Sequence, residues 1–225
     1  MDSARRPELL SPTAYIDSDS AEVTEFVARA LADAPHSSLT DKAIRLFDAV
    51  RDQIRYDPYA VSFSEGDYRA GRVLQKPSNF CIPKAIALTA VLRAAGIPAA
   101  VGFADVRNHL NSRKLAELMG TDLFIYHGYV ALWLDGRMFK VTPAFNTALC
   151  ERFGVRQLVF DGGSDALFHE FDMRNHRHME YTNDRGWFAD PPVREILDEF
   201  RAAYPKLWQA NVTQADINDP AFRAS

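Results

Sequence analysis

The chain has 225 residues, of which 47% are hydrophobic, and a formal net charge of −4 at pH 7, which is ordinary for one globular domain with a substantial core. Its charges are interspersed without a basic stripe, and no apolar stretch reaches membrane-spanning length or forms a signal segment at the N-terminus, so we expect neither a nucleic-acid nor a membrane partner. Two cysteines do not make a disulfide framework, and we therefore expect a cytoplasmic protein.

Two amphipathic helices open the predicted fold. Asp19 and Glu22 fit a capping box ahead of the first, and Thr40 is the predicted cap of the second. Helical spacing of apolar residues supports both, at positions 23, 26, 27, 30 and 31 and then at 43, 44, 47, 50 and 54. Residues 60–80 are loop-like, with one helical turn near Tyr68–Leu74.

The central element is a helix that follows a polar loop and begins near Cys81. Ser78 and Asn79 are candidate caps, and Pro83 suits the first turn, where its missing N–H would be unpaired in any case. The helix is apolar almost all round up to Gly96, which predicts a buried position. Because unpaired N–H groups and the positive helix end favour a thiolate, Cys81 is a candidate nucleophile with a lowered pKa.

The second half of the chain is predicted to form an antiparallel sheet with helices around it. Asp135-Gly136 is a strong two-residue hairpin signal between strands at Tyr126–Leu134 and Arg137–Val141. The other predicted elements are a strand over 97–105, a helix over 112–119, a helical turn over 147–153, strands near 157–160, 167–171 and 178–182, and a helix over 193–204. This order predicts an α+β fold rather than alternating βαβ units.

The hairpin also suggests partners for His127. A cysteine nucleophile needs a base, and His127 lies on the first hairpin strand. If Leu134 pairs with Arg137, His127 lies opposite Ala144, with Thr142 and Asn146 as its diagonal neighbours on the same face. Both side chains could reach the imidazole, although Pro143 weakens the ladder there because it cannot donate a hydrogen bond.

Four segments together resemble the transglutaminase-like superfamily, whose members have a papain-like core: Ile54-Arg55-Tyr56, Asn79-Phe80-Cys81-Ile82-Pro83-Lys84-Ala85, Leu92-Arg93-Ala94-Ala95-Gly96-Ile97-Pro98-Ala99 and His127-Gly128-Tyr129-Val130. The resemblance implies one domain over residues 1–225, with a core at about 40–146, a C-terminal sheet and helix extension over 147–208 and a tail over 209–225. It implies a buried cysteine-bearing helix packed on an antiparallel sheet.

The resemblance also implies roles for site residues. Cys81 would be the nucleophile and His127 the base. Such families usually have Asp-Pro where this chain has Thr142-Pro143, so the third member would be Thr142, or alternatively Asn146, since papain-like proteases use a Cys-His-Asn set. Gln75 lies six residues before Cys81, a spacing that resembles the oxyanion-hole glutamine of papain-like proteases. The backbone N–H of Cys81 is the other expected oxyanion donor.

Several other polar residues are candidates for the site. Tyr126 and Tyr129 flank His127 and could border a substrate groove, while Asn108 and His109 could line a pocket or cap a loop. A histidine-rich segment over 169–180 includes His176, His178 and Glu180, which would share one face of a strand. Nothing in the sequence makes these ligands converge, so we expect no metal and no cofactor.

These features predict an enzyme in which Cys81 attacks an amide, ester or thioester carbonyl of a small-molecule or peptide substrate. Hydrolysis, by an amidase or peptidase, is favoured because no partner or carrier motif is visible. The alternatives are an acyltransferase or a cyclase that uses the same acyl-enzyme. A non-catalytic binding protein that retains the fold is a further alternative, because a neutral Thr142 cannot stabilise an imidazolium as a carboxylate would.

Overall fold

A computed structural model of the protein describes residues 7–108, 112–167, 179–209 and 219–222. The first half of the chain is mainly helical and contains α1 (Ala21–Ala30), α2 (Leu39–Gln53), the short strand β1 (Arg55–Tyr56), a 3-10 helix (Glu65–Tyr68), α3 (Ala70–Leu74), the short strand β2 (Ser78–Asn79) and α4 (Cys81–Ala94). The second half contains β3 (Ala99–Asn108), α5 (Arg113–Met119), β4 (Leu123–Leu134), β5 (Arg137–Val141), α6 (Thr147–Phe153), β6 (Met179–Phe188), α7 (Val193–Ala203) and α8 (Pro205–Gln209).

The main sheet is antiparallel throughout, with the strand order β5–β4–β3–β6. The predicted hairpin is confirmed: Leu134 pairs with Arg137, and the register continues to Val130 opposite Val141. Asp135 and Gly136 have φ of 48° and 80°, the positive values that this tight turn requires. Together with the helices, this sheet confirms the α+β class.

Helix α4 is the centre of the core, as its apolar composition predicts. It contacts α1, α2 and α3 as well as strands β3 and β4 of the sheet. Every residue from Cys81 to Arg93 is buried, including the cationic Lys84. A helix surrounded by helices and a sheet has no polar face, which explains why its sequence shows no amphipathic pattern.

The helix caps differ from the prediction by one or two residues. Helix α2 begins after Ser38, whose side chain forms a reciprocal capping box with Asp41, and Thr40 lies inside the helix. Ser20, not Asp19, precedes α1. The residue before α4 is Phe80, whose side chain forms no capping hydrogen bond. These shifts arise because several neighbouring Ser, Thr and Asp residues are acceptable caps, and packing selects among them.

The C-terminal third also corrects the prediction. Residues 157–160 form no strand; they cross α2, where Arg51 Nη1 donates to the Leu158 carbonyl at 2.8 Å and Phe160 packs edge-on against Phe47. Strand β6 runs to Phe188, well beyond the predicted end. Pro205 ends α7 as expected but also starts α8, since proline suits a first helical turn. The predicted strand over 167–171 lies almost entirely outside the described residues.

Part of the predicted tail is packed on the core. Asp219 accepts a hydrogen bond from the Tyr59 hydroxyl at 2.6 Å and another from Ser112. The Phe222 ring packs against Tyr59, with the two ring centroids 5.9 Å apart. In the described part of the chain, none of the helices is both long enough and apolar enough to cross a bilayer.

Strand β4 approaches the start of α4 closely at Gly128. A Cβ atom added there would lie 2.9 Å from the Cys81 carbonyl oxygen and 3.1 Å from Ile82 Cα, both of which are backbone atoms. Real Cβ atoms do not approach backbone atoms so closely, so a larger residue would push the strand and the helix apart. Glycine at this position therefore sets the spacing between β4 and the start of α4.

We expect Gly128→Ala to lower the free energy of unfolding by about 1–3 kcal/mol, because overpacking a rigid contact costs energy of that order. Urea denaturation of the purified variant measures this loss. Gly66→Ala is the matched control, since its added Cβ would lie 4.0 Å from the Ser64 hydroxyl oxygen, an ordinary contact, and its backbone needs no positive φ. Equal stability of the two variants would show that the β4–α4 spacing tolerates a methyl group.

Candidate active site

The loop before Cys81 is held by a short parallel pairing. Strand β2 pairs with β1, so that Asn79 lies beside Tyr56. The backbone extends this pairing on both sides, with Arg55 N donating to Pro77 O at 3.0 Å and Asp57 N to Asn79 O at 2.9 Å. The chain then turns directly into α4. Cys81, the first residue of α4, is therefore fixed by backbone hydrogen bonds.

The Cys81 thiol is surrounded by backbone donors but is deeply buried, with 8% of its surface exposed. Burial raises its pKa, and the N–H groups of Gly128, Ile82 and Cys81 itself act in the opposite direction; the net pKa is about 11. The expectation of a lowered pKa was therefore wrong for this conformation. Desolvation of a thiolate outweighs the helix N-terminus and its N–H groups, so the resting group is a neutral thiol.

His127 directly precedes the residue of β4 whose backbone contacts the thiol. Gly128, whose N–H faces the Cys81 sulfur, is bonded directly to the carbonyl carbon of His127. The His127 side chain is itself buried, and its ring makes an edge contact with Tyr181 of β6 at 6.3 Å between ring centroids. The Cys81 thiol therefore lies against the backbone of the residue that follows His127 on β4, and the pairing of the two side chains as nucleophile and base stays a prediction.

Thr142 contacts the imidazole and indicates its tautomer. Its Oγ1 lies 2.9 Å from the Gly128 carbonyl oxygen and 3.4 Å from His127 Nε2. A carbonyl can only accept, so the single hydroxyl proton of Thr142 is directed to Gly128. Oγ1 can then only accept from the ring, which places a proton on Nε2, so that Nδ1 is the basic nitrogen whenever the imidazole is neutral.

Asn146, the alternative third member, has a structural task. Its side-chain oxygen accepts a hydrogen bond from Tyr56 N at 3.0 Å and so ties β1 to the start of α6. The contact with the His127 ring described above is made by Thr142. Hairpin geometry proposed both residues as neighbours of His127; Thr142 does contact the ring, whereas the chain leaves the ladder after Val141 and turns Asn146 toward Tyr56 of β1.

Gln75 lies in an exposed position at the end of α3. Its amide nitrogen donates to Glu22 Oε1 of α1 at 3.3 Å. This places the amide against the first helix, and its oxyanion role stays a prediction. The backbone N–H of Cys81 lies at the sulfur, and its role as an oxyanion donor likewise stays a prediction.

The predicted pocket residues have different surroundings. Tyr129 is buried on the sheet face opposite α4, and its hydroxyl donates to Asp184 at 3.0 Å beside a surface cavity of about 320 Å³. Tyr126 is buried against Phe103. Asn108 lines a small closed cavity with Tyr56 and Phe222. His109 lies outside the described residues, as does the histidine-rich segment up to His178.

Three tyrosines interact electrostatically with Cys81. Tyr56, Tyr68 and Tyr204 all have a pKa raised above the ordinary value, first by burial and then by electrostatic contributions that include Cys81. Tyr56 belongs to a segment quoted for the family resemblance. Tyr68 and Tyr204 come from the 3-10 helix and the end of α7, and no spacing in the sequence connects them with Cys81.

Lys84 is a buried cation one helical turn after Cys81. Its ammonium donates to the carbonyl of Arg51 at 2.8 Å and also to that of Ile54, so it closes the C-terminal end of α2 onto α4. Burial lowers the pKa of Lys84 to about 7. The ammonium group stabilises the packing of α2 on α4 through hydrogen bonds to carbonyl oxygens. Its charged form is disfavoured because the side chain is buried away from water.

Comparison with known proteins identifies the family. The model of the transglutaminase-like superfamily matches residues 25–143, which is more than half of the chain, and the chain belongs to this superfamily. The matched region contains Cys81, His127 and Thr142 and begins earlier than the predicted core. Membership supports cysteine-based hydrolysis or acyl transfer in general terms.

A solved structure with a similar fold comes from Cytophaga hutchinsonii and is described as a putative cysteine protease. It shares 15% sequence identity with this chain, with a TM-score of 0.48, and the match covers 83% of this chain and 55% of that longer protein. This chain thus spans about half of that relative's length. No protein with a curated description matches the sequence.

The pKa of Lys84 predicts how stability depends on pH. Its folded-state pKa is about 7, below the ordinary 10.5, so between these values the unfolded chain binds more protons and stability rises with pH. We expect the wild-type protein to gain about 1–2 kcal/mol relative to Lys84→Met between pH 7 and pH 8.5. Urea denaturation at both pH values measures the difference.

Subtracting the variant cancels every other titrating group that both proteins share. In the folded protein the two cysteines have a pKa of about 11 and titrate above this pH window, and their titration in the unfolded chain is the same in both proteins. A difference between wild type and Lys84→Met that does not change with pH would mean that Lys84 keeps its ordinary pKa in the folded protein.

Proposed function

We propose that this protein is a cysteine-dependent hydrolase of amide, ester or thioester bonds. The observation that carries the proposal is the Cys81 thiol at the start of α4, beside the N–H of Gly128, the residue that follows His127 on β4. Thr142 supplies support by contacting the ring nitrogen that lies away from the proposed proton transfer.

Nucleophilic attack requires the loss of the thiol proton. Because burial holds the Cys81 thiol in its neutral form, the proton passes to His127 Nδ1 as the sulfur attacks the carbonyl carbon of the substrate. The oxygen becomes an oxyanion, for which the backbone N–H of Cys81 is the proposed donor. Gln75 could contribute only after its side chain leaves Glu22.

Collapse of the tetrahedral intermediate completes the first half of the reaction. The bond to the leaving group breaks, His127 Nδ1–H gives its proton to that group, and a thioester forms on Cys81. Water then attacks the thioester carbonyl while His127 takes its proton. The same histidine returns the proton to the departing sulfur, which releases the acid and regenerates the thiol.

Thr142 makes this site differ from one with a carboxylate third member. A hydroxyl that already donates to Gly128 O can orient the imidazole through Nε2–H but adds no negative charge. The imidazolium is therefore stabilised less than beside an aspartate, which favours the neutral pair of thiol and imidazole at rest. Transfer to an amine or intramolecular cyclisation would use the same acyl-enzyme, so groove shape decides between them and hydrolysis.

The first test labels Cys81 with iodoacetamide at pH 7 and follows modification by mass spectrometry. We expect His127→Ala to slow labelling of Cys81 at least about tenfold, since the base no longer takes the thiol proton. Cys81→Ser should abolish the labelling. Cys150→Ser is the matched control, because that thiol is also buried with a pKa of about 11 but lies in α6.

A 4-nitrophenyl ester then distinguishes catalysis from mere reactivity. A burst of nitrophenol and an acyl group on Cys81 would support the hydrolase, and added primary amine that captures the acyl group faster than water would favour the acyltransferase. Labelling of Cys81 that is unchanged in His127→Ala, with no acyl-enzyme, would leave a non-catalytic binding protein as the better interpretation.

Thr142 offers a second test of the proposed site. Thr142→Val keeps the shape but removes the hydroxyl, and we expect the rate of acyl-enzyme formation to fall about tenfold, as for loss of one buried hydrogen bond. Thr142→Ser retains the hydroxyl and should keep most of the rate. If Thr142→Val and Thr142→Ser react equally fast, the hydroxyl does not orient His127.

A further inference from the structure

The residue directly before His127 has a strained backbone. Tyr126 has a φ of 56°, in the left-handed region that bulky side chains rarely enter, at a cost of about 1–3 kcal/mol. It belongs to a bulge: between the pairs Ala104–His127 and Val106–Phe124, β4 has two residues where β3 has one. Such a conformation persists only if its surroundings impose it, and bulges beside active sites re-aim side chains.

One constraint acts on the backbone of Tyr126. Asp105, the single residue of β3 opposite the bulge, is nearly buried, and its Oδ1 accepts the Tyr126 N–H at 3.1 Å. The same oxygen accepts from Arg185 Nε at 2.7 Å, and Oδ2 accepts from Asn183 Nδ2 at 3.2 Å. The carboxylate is thereby fixed by β6 and presented to the bulge.

A second constraint acts on the Tyr126 side chain. The guanidinium carbon of Arg185 lies 4.0 Å from the centre of the Tyr126 ring. Glu199 of α7 binds Arg185 through both carboxylate oxygens, at 3.2 and 3.0 Å, and its Oε1 is 2.6 Å from the Tyr126 hydroxyl. Asp105, Arg185 and Glu199 thus form a chain of ion pairs, which we call the β6–α7 clamp, around one strained tyrosine.

The end of α7 holds the same stretch of β4 from another direction. The Tyr204 hydroxyl accepts from Ile125 N at 2.7 Å and donates to the Leu123 carbonyl at 3.0 Å. These backbone groups lie in the bulge and just before it. The strand that leads into His127 is therefore fixed by groups from β3, β6 and α7, and those from β6 and α7 lie outside the region that the family model matches.

We propose that the β6–α7 clamp positions the general base: Asp105, Arg185 and Glu199 hold Tyr126 in its left-handed conformation and so direct the His127 ring toward Cys81. The inference rests on the proposed function, in which His127 is that base. Rotation about the backbone of Tyr126 would displace the next residue along the strand, and a misplacement of about 1 Å can cost a reaction about a hundredfold.

The test compares Asp105→Asn with Asp122→Asn in the full-length chain. Asp122 is the matched control because it also pairs with an arginine at 2.7 Å, Arg107 of β3, but on the exposed surface. We expect Asp105→Asn to slow iodoacetamide labelling of Cys81 at pH 7 about tenfold or more, and Asp122→Asn to have no effect. Circular dichroism at the assay temperature confirms that each variant is folded.

Two further measurements separate positioning from a general loss of structure. In a His127→Ala background, Asp105→Asn should slow labelling no further, because the base that it positions is gone. Tyr126→Gly should recover part of the rate in the Asp105→Asn variant, since glycine adopts a positive φ without strain. A slowing by Asp105→Asn that is equally large in the His127→Ala background would overturn the proposal.

Histidine ring ¹⁵N NMR gives a readout that does not depend on reactivity. The His127 signals are those lost in His127→Ala, and we expect them to shift in Asp105→Asn but not in Asp122→Asn. If wild type and His127→Ala label equally fast, the proposed function fails, while a shift of the ring signals would still support positioning. If neither the ring signals nor the labelling respond to Asp105→Asn, the clamp does not position His127.

Discussion

The contact between Gly128 and the start of α4 is the constraint on which the candidate site depends. The N–H, the Cα and the carbonyl group of Gly128 each make a contact that constrains the site. Its N–H faces the Cys81 sulfur, its Cα leaves no room for a side chain against the Cys81 carbonyl, and its own carbonyl accepts the Thr142 hydroxyl proton. Main-chain atoms of Gly128 thereby contact both Cys81, the candidate nucleophile, and Thr142, the candidate third residue, directly after His127, the candidate base.

Burial accounts for the unusual electrostatics of this region. The same dry surroundings raise the pKa of Cys81 and lower that of Lys84, so both groups are driven toward their neutral forms. A neutral third residue at position 142 is consistent with this environment, because an added carboxylate would itself have to be desolvated. In the proposed function, the reaction would therefore depend on hydrogen bonds and on proton transfer during attack rather than on a preformed ion pair.

The C-terminal third supports the strand that bears His127. Charged groups of β6 and α7 surround the bulge in β4, and Tyr204 holds the backbone just before it. A core made of α4 and the hairpin alone would leave Tyr126 strained without these contacts. The extension beyond the matched family region is therefore an integral part of the structure around the site.

Elements with local causes could be predicted from the amino-acid sequence. The Asp-Gly turn set the β4–β5 register, the apolar run after Cys81 identified a buried helix, and the motif around Cys81 and His127 predicted the family. The tertiary structure decided what depends on distant contacts. It placed Thr142 against the imidazole, tied Asn146 to Tyr56, turned Gln75 toward Glu22, and buried Cys81 so deeply that its pKa rises. Desolvation and the neighbours of a side chain come from residues far apart in the chain, and no local pattern reports them.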